Sequence, residues 1–336
     1  MRLRTYILTR LLLTIPMVLI LVTVVFIIMR VMPGDPVASL LGGKAGSEEQ
    51  IALLRHQLGL DKPLYIQYVE YMGNLMMGNL GYSLVRQDTV VTELTTYLPA
   101  TLELTFCSAL LAIPLGVYSG IFAAKHAGGK LDASIRIGTL VRWCIPVFWF
   151  GLALQILVVQ TGVALPISGQ TSQMEGAARV TGMYVVDAIL AGDPRALADA
   201  LSHLILPVLT LGTTMAASLS KIARTNVVDV LGEEYIKVAS LKGCSEDQVF
   251  QKHALPNALI PILTYTGLQV AVLLQGAVLT ESVFSWPGVG RLLLFAVGYR
   301  DFNLIQGCVV LFALLVSAAN LIVDISYAIV DPRVRF

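Results

Sequence analysis

Six apolar runs, each long enough to cross a lipid bilayer as a helix, constrain the fold of this chain more than any other feature. A spanning helix needs about 20 mainly apolar residues, because each residue advances the helix axis by about 1.5 Å. The 336-residue chain is 56% hydrophobic and only 13% charged, and its mean hydropathy is +0.76. The predicted spans are roughly residues 11–29, 98–124, 137–162, 204–220, 259–283 and 304–330. The sequence therefore predicts an all-α integral membrane protein with six transmembrane helices.

Charge asymmetry predicts which side of the membrane each loop faces. The first run follows a basic region formed by Arg2, Arg4 and Arg10. It is too long for the apolar part of a signal peptide and no cleavage site follows, so we expect it to remain as a span. With the N-terminus inside, thirteen lysine and arginine residues fall in short cytoplasmic segments and nine in longer segments on the other side. Because such residues concentrate in cytoplasmic loops, both termini are predicted to be cytoplasmic.

Three regions follow from this topology. Residues 1–30 form the N-terminal tail and first helix, residues 31–97 an extracytoplasmic region, and residues 98–336 a five-helix core. Within the extracytoplasmic region, SEEQIALLRHQLGL predicts a helix with Ser47 as its N-cap and Gly59 at its end. The amphipathic, aromatic stretch that follows is expected to lie at the membrane surface. This region either packs over the helix ends or forms a docking surface for an external partner.

Missing motifs exclude several classes of function. Cys107, Cys144, Cys244 and Cys308 lie far apart without metal-like spacing, so they are interpreted as small hydrophobic residues. Two GGK triplets lack the upstream glycine and the following Ser or Thr of a P-loop, and no GxSxG, HExxH or kinase signature occurs. The net charge of +1 argues against nucleic acid as a partner. We therefore predict that the chain binds no cofactor or metal and does not hydrolyse ATP by itself.

Four charged residues fall inside the predicted spans: Glu103, Arg142, Glu281 and Asp324. Such residues bind protons or sodium ions in secondary transporters, whereas elsewhere they hold membrane helices together. Contact between helices is the favoured interpretation here, and a proton relay is the alternative. No inverted repeat is recognisable, which counts against a secondary transporter. No constellation of catalytic groups converges in the spans, which counts against a membrane-embedded enzyme.

A charged, amphipathic segment at residues 234–257 separates two of the apolar runs. Gly243 interrupts it, so two short helices that meet at a glycine turn are predicted. The whole connection, at about 35 residues, is longer than joining two helices requires. Its mixture of apolar and charged faces is typical of helices that fit into a groove on a partner, and a solvated loop is the alternative.

This segment carries a resemblance to a known family. Lys237-Val238-Ala239 is followed by three residues, Gly243, nine residues and then His253-Ala254-Leu255-Pro256. It resembles the cytoplasmic EAA loop of binding-protein-dependent ABC importer permeases, in which EAA, three residues, Gly and nine residues precede I-x-L-P. Lys237 replaces the first Glu and His253 replaces the Ile. These departures resemble the oligopeptide/dipeptide/nickel branch of the family.

Other motifs along almost the whole chain agree with that branch. They are RLLLTIP near the N-terminus, VMPGDP at residues 31–36, LGLDKPLYIQY at 58–68, GNLGYS at 78–83, LPATLEL at 98–104, LTESVFSWPGVGRLL at 279–293, RDFNLIQG at 300–307 and the DPRVRF tail. Because proline restricts its predecessor and lacks an N–H, PGDP is expected to stop the first helix.

The resemblance implies the type I ABC importer permease fold, in a multi-pass protein of a prokaryotic cytoplasmic membrane. It implies as partners a second, related permease, two cytoplasmic ATPase subunits and an extracytoplasmic solute-binding protein, with ATP and magnesium bound by the ATPases. It also implies that the EAA loop, as a coupling helix, receives the motion of the ATPases. The residues implied for this coupling are Glu234, Tyr235, Lys237, Ala239, Lys242, Gly243, Asp247, His253, Pro256 and Asn257.

The WPGVG motif predicts a tight turn at the extracytoplasmic end. Trp286 is expected to place its indole at the membrane interface beside a turn made by Pro287, Gly288 and Gly290. This re-entrant turn either shapes the outer mouth of the pathway or is simply rigid.

The substrate is the least constrained property. A nickel pathway is expected to show clustered His, Cys or Met ligands, and the four histidines are dispersed. Di- or oligopeptides are therefore the favoured substrates, and oligosaccharides, nickel and glutathione are alternatives within the same branch. A secondary transporter is the alternative from a different class.

Overall fold

The computed structural model describes residues 3–31, 48–57, 59–83, 85–172 and 180–330, and these residues are helical apart from turns, connecting segments and one β-hairpin. The helices are α1 (Leu3–Val31), α2 (Glu48–Gln57), α3 (Leu64–Met76), α4 (Val90–Lys125), α5 (Lys130–Cys144), α6 (Val147–Thr161), α7 (Tyr184–Ala191), α8 (Pro194–Leu231), α9 (Glu234–Leu241), α10 (Glu246–Gln248), α11 (Leu255–Val283), α12 (Val289–Tyr299) and α13 (Phe302–Val330). A π-helical turn, Val249–Ala254, joins α10 to α11. Strands β1 (Tyr82–Ser83) and β2 (Asp88–Thr89) form the antiparallel hairpin.

Five of the helical segments described are long and apolar enough to cross a membrane. They are Leu12–Val31, Val90–Lys125, Pro194–Leu231, Glu246–Leu274 and Phe302–Ile322. The helices α5 and α6 together supply a sixth candidate, bent by 99° at its break. An all-α membrane protein was therefore predicted correctly from hydropathy, whereas the assignment of both termini to the cytoplasm stays a prediction.

The predicted third span, residues 137–162, is not one continuous helix. The chain leaves the helical conformation at Ile145 and Pro146, where ψ is 122° and 137°. Proline disfavours a helical conformation in the residue before it and has no N–H to donate to the preceding turn. The break therefore follows from Pro146, which the count of apolar residues alone did not take into account.

The helices α4 and α8 form the centre of the bundle and pack with their backbones close together. A Cβ added to Gly116 would lie 2.6 Å from the Cβ of Leu219, and one added to Gly120 would lie 2.6 Å from the Cβ of Ala223. Small residues at such crossings let helices in a membrane approach closely and gain van der Waals contact. The packing of the bundle core therefore depends on the short distance between α4 and α8.

The extracytoplasmic region predicted from sequence packs against α1. The Arg30 Nε donates to Gln67 Oε1 at 2.7 Å, and the hydroxyls of Thr23 and Tyr68 are 2.7 Å apart. The Phe26 ring contacts the rings of Tyr68 and Tyr71. One face of α3 thus packs over the end of α1, which is the first of the two interpretations given for this region. The position of α3 at a membrane surface stays a prediction.

The predicted helix before α3 is confirmed as α2. Gly59, with φ of +62°, ends it, and the Leu60 N–H donates to Arg55 O at 2.9 Å. Other predicted features lie outside the described residues, namely the PGDP stop at residues 33–36, the Ser47 cap, the side chain of Asp324 and the DPRVRF tail.

Candidate coupling site and the turn at the opposite end

Residues 234–257 fold as the predicted pair of short helices around a glycine. The first helix, α9, ends at Leu241, and Gly243 follows with φ of +86°, which residues with a Cβ rarely adopt. A capping box starts α10, because Ser245 Oγ accepts from the Gln248 N–H while Gln248 Oε1 accepts from the Ser245 N–H. The local sequence thus explains where the chain turns and where the second helix begins.

One face of α9 packs inward and the other is exposed. Ile236 and Ala239 are buried in a small cluster with Val249 and Ala254. On the opposite face Val238 is 48% exposed and Leu241 is 86% exposed. Exposed aliphatic side chains at a spacing of three residues on a helix form an apolar strip that a partner can cover. We call this strip the exposed face of α9; it also includes Tyr235, which is 43% exposed.

The structure distributes the residues predicted for coupling over three environments. Those that are exposed are Glu234, Tyr235, Lys237, Lys242, Gly243, Asp247, Pro256 and Asn257. His253 is partly buried, and its carbonyl accepts from Asn257 Nδ2 at 2.8 Å. Ala239 is buried within the loop, so its side chain packs inside the loop, and its part in coupling stays a prediction. The motif spacing missed Val238 and Leu241, although their apolar character opposite Ile236 and Ala239 was a readable signal.

The loop is joined to three long helices. Lys125, the last residue of α4, forms an ion pair of 2.8 Å with Asp247 and lies over the Phe250 ring at 5.7 Å. Phe250 in turn packs in a buried cluster with Val227 of α8 and Ile262 of α11. A force applied to α9 and α10 therefore reaches α4, α8 and α11 through side chains already in contact.

At the end of the bundle opposite α9, Glu281 joins α4, α11 and α12. It is fully buried, and its carboxylate accepts from Thr101 Oγ1 at 2.7 Å and from the Arg291 N–H at 3.0 Å. The Thr101 hydroxyl also accepts from the Val289 N–H at 2.8 Å. The LPATLEL and LTESVFSWPGVGRLL motifs thus contact one another through these bonds, and we call them the Glu281 network.

The WPGVG turn is confirmed as a tight turn, but the position predicted for the indole is wrong. Trp286 is fully buried, and its Nε1 donates to Ala100 O at 2.8 Å inside the protein instead of facing a membrane interface. A Cβ on Gly288 would collide with the Glu281 carboxylate, and one on Gly290 would collide with Val278 Cα. Glycine is therefore required at both positions by close approach.

This turn also borders an open space. Pro287 lines a cavity of about 430 Å³ together with Pro99, Gln170, Gly182 and Tyr184. The turn was interpreted either as shaping the outer mouth of the pathway or as simply rigid. A rigid turn that borders a cavity agrees with both, since the same residues fix the backbone and line the cavity.

A second pair of motifs meets at the same end. The Ser83 hydroxyl donates to Asp301 Oδ2 at 2.6 Å, and Asp301 Oδ1 accepts from the Leu304 N–H at the start of α13. Asn303 lies against Gly81, so that a Cβ there would be 3.2 Å from its amide. GNLGYS and RDFNLIQG therefore fix the hairpin to the bundle.

Charged residues inside the predicted spans make contacts between distant parts of the chain. Glu103 accepts from Gln170 Nε2 at 2.6 Å and from the Val185 N–H at 2.7 Å. Arg142 of α5 donates to Thr210 O and Thr213 Oγ1 of α8. The interpretation that such residues hold membrane helices to their neighbours is confirmed for Glu103, Arg142 and Glu281.

Removing the Thr101 hydroxyl is expected to destabilise the protein without altering its shape. In Thr101→Val the Glu281 carboxylate loses a donor and the Val289 N–H loses its acceptor, and such unpaired buried groups cost about 2–4 kcal/mol together. The measurement is the thermal unfolding midpoint of the purified protein in detergent. Thr96→Val is the control, because the exposed Thr96 hydroxyl bonds within its own helix to Thr92 O. Equal midpoints for both variants would contradict the role of the network.

Two family models match most of this chain. Residues 112–336 match the family described as the inner membrane component of binding-protein-dependent transport systems, and residues 3–105 match its N-terminal membrane component. The chain belongs to this family. It is therefore a multi-pass inner membrane permease of a bacterial transport system, whose partners include a solute-binding protein and an ATPase.

Relatives of this permease are similar over almost their whole length. The di/tripeptide transport system permease protein DppB of Pseudomonas aeruginosa (strain UCBPP-PA14) is 42% identical over 313 residues, 92% of each chain. The dipeptide transport system permease protein DppB of Escherichia coli (strain K12) is 38% identical over 98% of each chain. The oligopeptide transport system permease protein AppB of Bacillus subtilis (strain 168) is 36% identical over 98% of this chain and 99% of that protein.

Proposed function

We propose that this chain is the membrane-spanning permease subunit of an ATP-driven ABC importer that carries di- and oligopeptides into the cytoplasm. The observation that supports the substrate class is the similarity, over 92–98% of this chain, to permeases named for dipeptide and oligopeptide transport in three bacteria. ATP and magnesium bind to the partner ATPases and not to this chain. Oligosaccharides, nickel and glutathione are the substrates that the experiment below has to exclude.

The exposed face of α9 supports a mechanism for coupling. Two ATPase subunits act on the importer, and one of them receives this face. Closure of the ATPases displaces α9, and the Lys125–Asp247 pair and the Phe250 cluster pass the displacement to α4, α8 and α11. Because the Glu281 network joins α4, α11 and α12, these helices move together as a rigid body. Their movement changes the permease from an inward-facing to an outward-facing conformation.

The remaining partners are assigned by the same proposal. A second, related permease pairs with this one, so that the pathway lies between two chains, and a heterodimer is the expected arrangement. The extracytoplasmic binding protein docks at the end opposite α9, where α2 and α3 lie. Tyr65 and Met76 on α3 are 71% and 79% exposed, which gives that end an uncovered apolar surface.

Transport by the reconstituted importer tests the proposal. The chain is co-purified with its sister permease and ATPases and placed in liposomes, and uptake of labelled dialanine is measured with the binding protein present. We expect uptake that requires ATP and the binding protein and that excess unlabelled dipeptide abolishes. Uptake of maltotriose, Ni²⁺ or glutathione in place of peptide would overturn the substrate class. A chain that purifies alone and transports without ATP would overturn the importer itself.

Substitution of Gly243 tests the geometry of the coupling site. In Gly243→Val the left-handed backbone costs about 1–2 kcal/mol, so the free loop is expected to relax to another turn. The ATPases then have to restore this turn on binding and are expected to bind about 5- to 30-fold more weakly. No atom lies within 4 Å of the position of a Cβ, so the effect comes from backbone strain and not from a collision. Gly243→Asn is the control, because asparagine tolerates this conformation. Normal import by Gly243→Val at wild-type membrane levels would contradict the role of the turn.

A further inference from the structure

A groove between α5 and α8 extends from the α9 end of the bundle toward its middle. It is a cavity of about 550 Å³, and its walls include Ile137, Leu140 and Trp143 of α5 and Ala217 of α8. At the end near α9, Arg224 closes the groove by a bidentate pair with Asp132, at 2.5 and 2.8 Å. Toward the middle, the same two helices meet at Arg142 and Thr213.

The basic residues that line this groove outnumber the carboxylates that pair with them. Lys221 lines it and lies over the Trp143 ring at 5.8 Å. Arg136 also lines it, with Asp132 as its ion-pair partner at the long distance of 4.0 Å. Among the residues that the structure describes, no ion pair involves Lys221 or Arg142. The positive charge of the groove therefore exceeds its negative charge.

Arg142 is held in the middle of the membrane domain. It is half-buried and lies against the central part of the 38-residue helix α8. Its guanidinium donates to Thr210 O at 2.7 Å, to Thr213 Oγ1 at 2.8 Å and to Thr214 Oγ1, and stacks 4.0 Å from the centroid of the Phe150 ring. Each of these acceptors is neutral, so the charge itself is not compensated within this set.

A charge in this position needs a counter-charge or water. A basic residue at the centre of a bilayer costs about 2.5–3.5 kcal/mol or more, and such residues therefore face protein interiors or aqueous pathways. The Nη1 group of Arg142 has spare capacity, since its contact is a long one of 3.3 Å to Ile145 O. A carboxylate that accepts a hydrogen bond from this Nη1 group supplies the missing charge and leaves the bonds to the threonines in place.

We propose that the groove between α5 and α8 is part of the substrate pathway and that Arg142 binds the C-terminal carboxylate of a passing peptide. This inference rests on the proposed function. Lys221 is about 10 Å further along α8 from Thr214, at about 1.5 Å per residue, and takes the carboxylate next on its way to the α9 end. The excess positive charge repels the terminal ammonium, so the peptide travels with its carboxyl end toward the basic residues.

The test compares two substrates in the reconstituted importer. Labelled dialanine and its C-terminal amide are each supplied with the binding protein saturated, as checked beforehand by calorimetry. Each rate is expressed relative to wild type with the same substrate, which removes any preference of the binding protein. In Arg142→Gln, import of dialanine is expected to fall about tenfold or more, because a charged hydrogen bond is lost, while import of the amide changes less than about twofold. Arg142→Lys is expected to restore part of the rate.

A second variant separates the loss of carboxylate binding from the loss of the α5–α8 contact. Lys221→Gln is expected to lower import of dialanine about threefold and to spare the amide, and it removes no hydrogen bond between helices. The control is Lys130→Gln, which neutralises a lysine at the start of α5 that does not line the groove.

The outcomes that overturn the inference are separable. Equal losses for acid and amide would make Arg142 a structural contact, and no loss for either would place the groove outside the pathway. A phospholipid that co-purifies with wild type and is absent from Arg142→Gln would make the groove a lipid site. Failure of the wild-type importer to carry dialanine would instead overturn the proposed function.

Discussion

Replacing Gly120 by leucine is expected to prevent the stable folding of this permease. A Cβ at this position would collide with Ser220 O and lie 2.6 Å from Ala223 Cβ, so neither side-chain rotation nor a small shift removes the overlap. Overpacking of a well-packed core costs about 1–3 kcal/mol, and a collision with backbone lies at the upper end or beyond. Because α4 and α8 form the centre of the bundle, their separation disrupts the clusters on both sides. We expect little or no monodisperse protein after extraction into mild detergent.

The same substitution at a different glycine provides the control. Gly138 lies in α5, and no atom is within 4 Å of the position of its Cβ. Gly138→Leu adds the same apolar bulk to a membrane helix and is expected to yield folded protein at the wild-type level. Monodisperse Gly120→Leu with a wild-type unfolding midpoint would show that the close approach of α4 and α8 does not carry the stability assigned to it.

Replacing Leu241 by aspartate is expected to abolish import while the chain still inserts into the membrane. Leu241 is 86% exposed at the end of α9, so the change leaves the packing of the permease intact. A charge in the apolar contact with an ATPase both removes buried area and strands a carboxylate. Losses at the centre of an interface reach 2–4 kcal/mol, or about 30-fold or more in affinity. The measurements are co-purification of the ATPases and the ATP hydrolysis rate that substrate-loaded binding protein stimulates.

An exposed leucine at the other end serves as the matched control. Leu53 of α2 is 59% exposed, and Leu53→Asp makes the same chemical change away from α9. Its co-purification with the ATPases is expected to equal that of wild type. Retention of the ATPases by Leu241→Asp would show that they dock elsewhere and that the exposed face of α9 has another use.

Features set by neighbouring residues were predictable from the sequence. The apolar runs, the end of α2 at Gly59 and the glycine turn at Gly243 each follow from the residues within one or two helical turns. The break before Pro146 could also have been predicted, because proline disfavours a helical conformation in the residue before it. It was missed because the span at residues 137–162 was assigned from average hydropathy. That error came from applying one local rule and not the other.

Features set by distant residues were not predictable in this way. Trp286 was assigned to a membrane interface because tryptophan favours that position, and its acceptor, Ala100 O, is 186 positions away. Ala239 was named for coupling from the motif spacing, which does not show that its side chain faces inward. Val238 and Leu241 were missed for the complementary reason, since motif spacing does not show that their side chains face outward.

The hydrogen bonds that fix the end opposite α9 also set the order in which the protein becomes complete. Ser83 and Asp301 are 218 positions apart, and Thr101 and Glu281 are 180 positions apart. A ribosome delivers the first member of each pair long before the second, and contacts between such distant residues form late. Until α11 and α13 have entered the bilayer, Ser83 and Thr101 lack these partners. A chain that stops early therefore keeps these polar groups unpaired, so the extracytoplasmic end predicted for this permease is the last part to be fixed.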